Sequence, residues 1–275
     1  MDHTQKSQER EDLAQPAGQE SQLAVTAASL QTDDTSIGDP ATVGQGMVAL
    51  EEEQVKDEID IQIDLLNDTD WVVRREAVIT LGEMGDERCV EPLARALRDG
   101  DWQVREVAIE AMGQVGSPAV DTLLKLLRDW EVRKYAIASL GKIRDERVLD
   151  PLMLQLRNDE FKDDAINALV ELGQPAVGRL VTALRDKDEN VRKCAVLALG
   201  RIKSEEAIDP LIAMLADQDW FTRLTAAAAL ESIGDDRGRE AIKPLLKDPD
   251  MVVKMRVERI LAKWKKQTVS QPATA

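Results

Sequence analysis

The chain has 275 residues, 32% of them charged and 3% aromatic, and a formal net charge of −16, which fits one large or two small domains of closely packed helices. The acidic balance argues against a general DNA or RNA binder, whose affinity comes from cations that neutralise phosphates, and against docking on an anionic membrane. Two distant cysteines, Cys89 and Cys194, make no disulfide framework, no run of about eighteen apolar residues spans a bilayer, and LAVTAASL is too mild for a signal peptide, so a cytoplasmic location is expected.

Residues 1–51 are rich in Gln, Ser, Thr, Asp, Ala and Gly and show no helical period. The first fifty hold eight acids against two bases. So polar a segment buries too little apolar surface to offset its chain entropy, and an acidic disordered arm is expected. A short disordered tail is expected at 267–275.

Between them, residues 52–266 repeat one pattern. Aligned on a basic residue, the segments read DWVVRREAVITLG, DWQVREVAIEAMG, DWEVRKYAIASLG, DEFKDDAINALVELG, ENVRKCAVLALG, DWFTRLTAAAALE and DMVVKMRVERILA. The anchors Arg74, Arg105, Arg133, Lys162, Arg192, Arg223 and Lys254 recur at spacings of 31, 28, 29, 30, 31 and 31 residues. Such a recurrence marks one supersecondary unit stacked on itself, and the expected fold is an all-α, right-handed solenoid of about seven helix pairs.

In chain order, IDIQID at 59–64 alternates with a period of two and locally reads as strand. The unit after it requires an outer helix, so helix is expected there. Later first helices take two forms, DERCVEPLARALRD, DERVLDPLMLQLRND and SEEAIDPLIAMLAD against GSPAVDTLLKLLRD and GQPAVGRLVTALRD. Both put proline in or near the first turn, where its missing N–H costs nothing. Each second helix is expected to open on an N-cap type four residues before the anchor: Asp70, Asp101, Asp129, Asn158, Asp188, Asp219 and Asp250. Such caps contribute roughly 1 kcal/mol each. Ala77, Ala108, Ala136, Ala165, Ala195, Ala226 and Val257 follow three residues after the anchor, and Leu81, Met112, Leu140, Leu169, Leu199, Leu230 and Leu261 four further on. That spacing makes one apolar stripe. Gly82, Gly113, Gly141 and Gly200 come next, where the helix packs closely or finishes.

The frame D-x-x-V-R-x-x-A-x-x-x-L-G resembles the HEAT-like repeats first described in phycobilisome lyases, over roughly residues 52–266. The resemblance implies an armadillo-like helical scaffold whose second helices line a concave side. Proteins with such repeats include chromophore lyase subunits and chaperones, phycobilisome degradation factors, scaffolds, and the di-iron deoxyhypusine hydroxylase with His–Glu ligand pairs. Here the only histidine is His3, in the acidic arm, so a His–Glu di-iron site, a His-dependent triad and a histidine-rich zinc site are excluded. Two distant cysteines build no metal cage within one chain, and neither GxxxxGK[ST] nor GxGxxG is present. No catalytic residue, metal site or cofactor is expected.

Binding candidates remain. Trp71, Trp102, Trp130 and Trp220 share one column, and two readings are open: each ring covers its turn, or the column is an aromatic edge that anchors a partner. Tyr135, Val107 and Ile79 make an expected apolar patch near the first three tryptophans, and Phe221 and Leu224 another beside Trp220. The fourth repeat departs from the frame with Asp159 and Lys162 and adds Asp163 and Asp164, either a tolerated irregularity or an acidic notch for a basic partner segment. The acid and Arg columns (Asp70 and Arg74, Asp101 and Arg105, Asp129 and Arg133, Asp188 and Arg192, Asp219 and Arg223) are expected to form a ladder between repeats. From Arg239 onward nine bases face four acids, so an acidic body ends in a basic cap. A non-enzymatic adaptor or assembly chaperone for protein partners is expected. The alternative, on resemblance alone, is a subunit of an E/F-type phycobilin lyase.

Overall fold

The computed structural model describes residues 56–269, with side chains described to residue 265. The acidic arm expected at 1–51 lies outside the described residues.

Fourteen α-helices and no strand occur among the described residues. They pair as α1 (Glu58–Leu65) with α2 (Trp71–Met84), α3 (Val90–Ala96) with α4 (Trp102–Val115), α5 (Val120–Leu126) with α6 (Arg133–Lys142), and α7 (Leu149–Gln155) with α8 (Lys162–Leu172). Then come α9 (Gln174–Ala183) with α10 (Glu189–Ile202), α11 (Ile208–Met214) with α12 (Trp220–Ile233), and α13 (Asp236–Ile242) with α14 (Met251–Val269). Each second helix packs on the next one along, and the first helices form the other layer. The result is an α-solenoid of seven pairs. The helix of α14 runs to Val269, into the stretch expected as a disordered tail.

The two-residue alternation of IDIQID is a helix after all. Asp57 caps α1 through the Asp60 N–H, and Asp60 returns the bond to the Asp57 N–H, a reciprocal pair that fixes the helix start. Helical geometry buries Ile59 and half-buries Ile63, four residues on, and leaves Ile61 exposed.

Along the second helices, the alanines three residues after the anchors are fully buried, as are Leu81, Met112, Leu140, Leu169, Leu199 and Leu230. Gly82, Gly113, Gly141 and Gly200 lie inside helices and do not end them. A Cβ at Gly141 would come 2.6 Å from Ala168 Cα, and one at Gly200 2.6 Å from Ala229 Cβ, so these glycines let adjacent second helices touch. The ends come later: Gly85, Gly116, Gly173 and Gly234 carry positive φ just past α2, α4, α8 and α12. Lys203 holds the same place after α10, with φ 58°.

The cap expectation holds at Asp70, Asp101, Asp188 and Asp219, which each accept a backbone N–H of the first turn. It fails at Asp129 and Asn158. There α6 and α8 start only at Arg133 and Lys162, on Val132 and Phe161, with no side-chain cap. The physical reason is loop length. The other loops read Asp-x-Asp (Asp68 and Asp70, Asp99 and Asp101, Asp186 and Asp188, Asp217 and Asp219, Asp248 and Asp250), whereas these two are cut short before the helix. Asp129 and Asn158 instead close turns by accepting the Glu131 and Glu160 N–H groups.

Candidate partner-binding surfaces

The arginine column lies in the seam between repeats. Arg74 Nη1 donates to the Asp68 and Thr69 carbonyls of its own loop, at 2.9 and 3.2 Å, and its Nε and Nη2 both reach the Asp99 carboxylate of the next repeat at 2.8 Å. Arg192 does the same to Asp217, and Arg223 to Asp248. Each acid also accepts the N–H of the cap two residues later, as in Asp101 N to Asp99 Oδ1 at 2.8 Å. The arginine hydrogen bonds hold the Asp99 and Asp248 carboxyls below the usual carboxylate range.

The inter-repeat partners are therefore Asp99, Asp217 and Asp248, not the caps Asp101, Asp219 and Asp250. The sequence reading missed them, although the recurring acid two residues before each cap was the available signal. Where the loop is shortened, the arginine turns to an aromatic ring. Arg105 Nε donates to the Tyr135 hydroxyl at 3.0 Å, and its guanidinium lies 5.6 Å from that ring. Arg133 lies 4.9 Å over Phe161 and donates to the Leu127 carbonyl. Cation–π contact thus replaces the ion pair in both short repeats. Asp129 takes Arg98 instead, at 2.6 Å.

Tyr135 consequently belongs to the seam more than to an outer patch. Val107 packs half-buried on the core and Ile79 is half-buried as well. The tryptophans divide. Trp71 packs half-buried against the core, whereas Trp102 and Trp130 are 61% and 68% exposed. Trp71, Trp102 and Trp220 each open their helix; Trp130 stands in the turn before α6, so the four do not occupy one structural register. In the fourth repeat Asp163 is exposed and Asp164 half-buried. Burial pushes the Asp164 carboxyl up, against the pull of nearby Lys134, and Lys162 pairs with Asp159 at 2.9 Å.

Exposed apolar side chains gather on α12 and α14. Trp220 and Phe221 meet edge to face with centroids 5.6 Å apart. Phe221 and Val252 stand two residues before their anchors, Leu224 and Met255 one after, so equivalent positions of consecutive helices carry apolar side chains. Met251 and Met255 are 64% and 53% exposed, Phe221 and Val252 are exposed, and Leu224 is half-buried. The corresponding positions of the second to fifth repeats are polar or charged (Gln103, Glu106, Glu131, Lys134, Glu160, Asp163, Asn190 and Lys193), and in the first repeat an exposed Val72 stands beside Arg75. Lys193 borders the patch, 5.7 Å over the Phe221 ring and 3.4 Å from Asp219. Met251, Val252 and Met255 were absent from the sequence-derived patch, although the frame alignment already placed them beside Phe221 and Leu224.

Cys89 and Cys194 are free, buried thiols, and burial pushes both up from the ordinary thiol range. Among the described residues there is no cluster of metal-binding side chains and no helix long and apolar enough to cross a membrane.

The family model for HEAT repeats matches residues 59–129 and 153–231, and that for the PBS lyase HEAT-like repeat matches 132–158 and 222–248. No curated protein matches the sequence. Among solved structures, the chain is similar to human deoxyhypusine hydroxylase in complex with glycerol, at 23% identity over 76% of this chain and 84% of that one, with a TM-score of 0.38. It is also similar to the complex of CpcE and CpcF of phycocyanin lyase from Nostoc sp. PCC7120 (21% identity, 84% and 100% coverage, TM-score 0.37). The archaeal HEAT-like repeats protein from Thermococcus onnurineus NA1 is similar at 11% identity, 77% and 98% coverage and a TM-score of 0.40.

Proposed function

This chain belongs to the HEAT repeat family, and from that premise we propose that it is a non-catalytic scaffold or assembly chaperone that holds a polypeptide on the face formed by α12 and α14. One observation carries the reading: Phe221, Leu224, Val252 and Met255 put apolar side chains at both column positions of two consecutive repeats, where the five repeats before them carry only one, Val72, and Trp220 and Met251 flank them. Exposed large apolar groups gathered on one face mark interaction surfaces more than solubility does. The exposed rings of Trp102 and Trp130 supply further anchors, and the acids Asp163 and Asp164 a place for a basic segment of the same partner. The sequence supports the non-catalytic reading through its single histidine, His3, and a cytoplasmic setting through its two buried, distant thiols.

The test is capture of partners from the native lysate by three forms of the protein. Leu224→Glu with Met255→Glu is expected to lose the principal partner while melting like the parent. Trp102→Ala with Trp130→Ala is expected to weaken the same partner. Full retention by both folded double variants overturns the reading.

A bilin-handling lyase subunit is the second reading, favoured by the match to the PBS lyase HEAT-like repeat at 132–158 and 222–248. It predicts a shifted absorption band when a linear tetrapyrrole is mixed with the protein at tens of micromolar, and no shift overturns it.

A further inference from the structure

We propose that the cleft between α10, α12 and α14 receives the carboxylates of an acidic polypeptide segment whose apolar residues lie on the adjoining α12–α14 face. The inference rests on the docking reading above and names the chemistry of the partner. The cleft has a volume of about 570 Å³ and is lined by Lys203, Glu231, Ser232, Arg256, Arg259 and Lys263. Four cations and a single carboxylate thus line it, within a chain whose net charge is −16.

That carboxylate acts as an organiser. Glu231 accepts Arg256 Nη2 at 3.2 Å and Lys263 Nζ at 2.9 Å, which fixes two of the four cationic heads. Among the described residues Lys203 and Arg259 have no ion-pair partner, so the cleft keeps an unneutralised positive charge. A concave surface with an excess of positive charge attracts ligands of the opposite sign.

Two departures from the repeat frame meet in this cleft. Glu231 occupies the position of Gly82, Gly113, Gly141 and Gly200, where four of the other repeats let neighbouring helices pack closely. Lys203 occupies the position of Gly85, Gly116, Gly173 and Gly234, and it adopts a left-handed φ of 58° that side-chain-bearing residues rarely take. A long cationic side chain therefore stands where the backbone favours glycine, and it lines the same space as Arg259 and Lys263.

The cleft continues the apolar face. On α14, Met255, Arg259 and Lys263 follow one another at four-residue spacing, and on α12 so do Leu224, Ala228 and Ser232. Each helix therefore passes from apolar to basic or small polar side chains along one stripe. A segment laid along the stripes meets apolar contacts first and cations next. A nucleic acid would present regular phosphates to the apolar half and to an acidic body, which fits neither.

The test is fluorescence anisotropy with the full chain and labelled synthetic peptides, one with a leucine-rich half followed by a glutamate-rich half, the other with glutamine in place of glutamate. The glutamate peptide is expected to bind roughly tenfold more tightly, with an advantage that shrinks as salt rises. Lys203→Gly with Arg259→Gln is expected to abolish that advantage and leave the glutamine peptide unaffected; glycine suits the backbone at 203, so folding is preserved. Equal binding of both peptides overturns the proposal and leaves the docking reading standing. Undiminished binding of both peptides by Leu224→Glu with Met255→Glu overturns the docking reading. Binding of neither peptide overturns the proposal, and partner capture then decides the docking reading alone. Tighter binding of a single-stranded RNA oligonucleotide, lost in the Lys203→Gly, Arg259→Gln variant, also overturns the proposal, in favour of a phosphate site.

Discussion

Arg223 and Asp248 are joined by a two-pronged ion pair, Nε to Oδ2 at 2.8 Å and Nη2 to Oδ1 at 2.9 Å, with side chains only 11% and 2% exposed. Arg223 also donates to the Asp217 and Gln218 carbonyls at 2.9 and 3.0 Å, so one guanidinium ties its own loop to the next repeat. Removing one member leaves the other charged and buried. Asp248→Ala is expected to destabilise the protein by about 3–5 kcal/mol, and Asp248→Asn by less because the amide oxygen still accepts. Urea unfolding followed by circular dichroism measures both. A change no larger than for an exposed pair, such as Arg179 with Asp150, would contradict the seam role.

The same pairs set an acid limit. Asp99 and Asp248 are held below the ordinary carboxylate value by Arg74 and Arg223. Their stabilisation is complete above the unfolded-state pKa near 3.9 and is lost as pH falls through the depressed folded value. The melting temperature is therefore expected to change little from neutrality to about pH 5 and to fall below about pH 4. The gap between the parent and Asp248→Asn should close over that lower range. Thermal melts across pH check it, and a gap that persists at the acid end counts against the ion pair as its source.

How far the sequence went is clearest at these residues. The period exposed the helix pairs and most caps, because caps and apolar stripes are local properties of a segment. Asp99, Asp217 and Asp248 recur visibly before their caps, but their pairing is not local, because each is 25 residues from its arginine, a relation set by how one repeat stacks on the next. Asp129 and Asn158 were misplaced as helix caps because the alignment followed the anchor and not the shortened loop before it. The patch at Met251, Val252 and Met255 was readable in the alignment, but a terminal repeat often varies for reasons of capping alone. Lys203 replaces a recurring glycine in the alignment, but the left-handed backbone angle that it adopts is seen only in three dimensions.

The short repeats offer a contrast. Tyr135→Phe removes the acceptor of Arg105 Nε while keeping the ring beneath the guanidinium. A loss of about 1 kcal/mol is expected, against a larger loss for Tyr135→Ala and a clear fall in melting temperature for Arg105→Ala. Equal stability of Tyr135→Phe and the parent would show that the hydroxyl bond is not part of the seam.

Two glycine substitutions should act in opposite directions. Gly141→Ala would put a Cβ 2.6 Å from Ala168 Cα and is expected to cost about 1–3 kcal/mol by overpacking. Gly178→Ala, inside α9 with nothing within 4 Å of the new Cβ, is expected to stabilise by about 0.5–1 kcal/mol through helix propensity. Denaturant midpoints of both variants decide it, and a destabilising Gly178→Ala would contradict the packing described for α9.

The claim that α12 and α14 hold a polypeptide is tested most directly by site-specific photo-crosslinking. A benzophenone side chain is placed at Met255 on the second-helix face, and in a second protein at the exposed Arg95 of α3 on the other layer. Irradiation in the native lysate is expected to join a discrete polypeptide at Met255, to join none at Arg95, and to lose the Met255 product when Leu224→Glu is added. Equal yields of the same product at both positions, or a product at Arg95 alone, would contradict it.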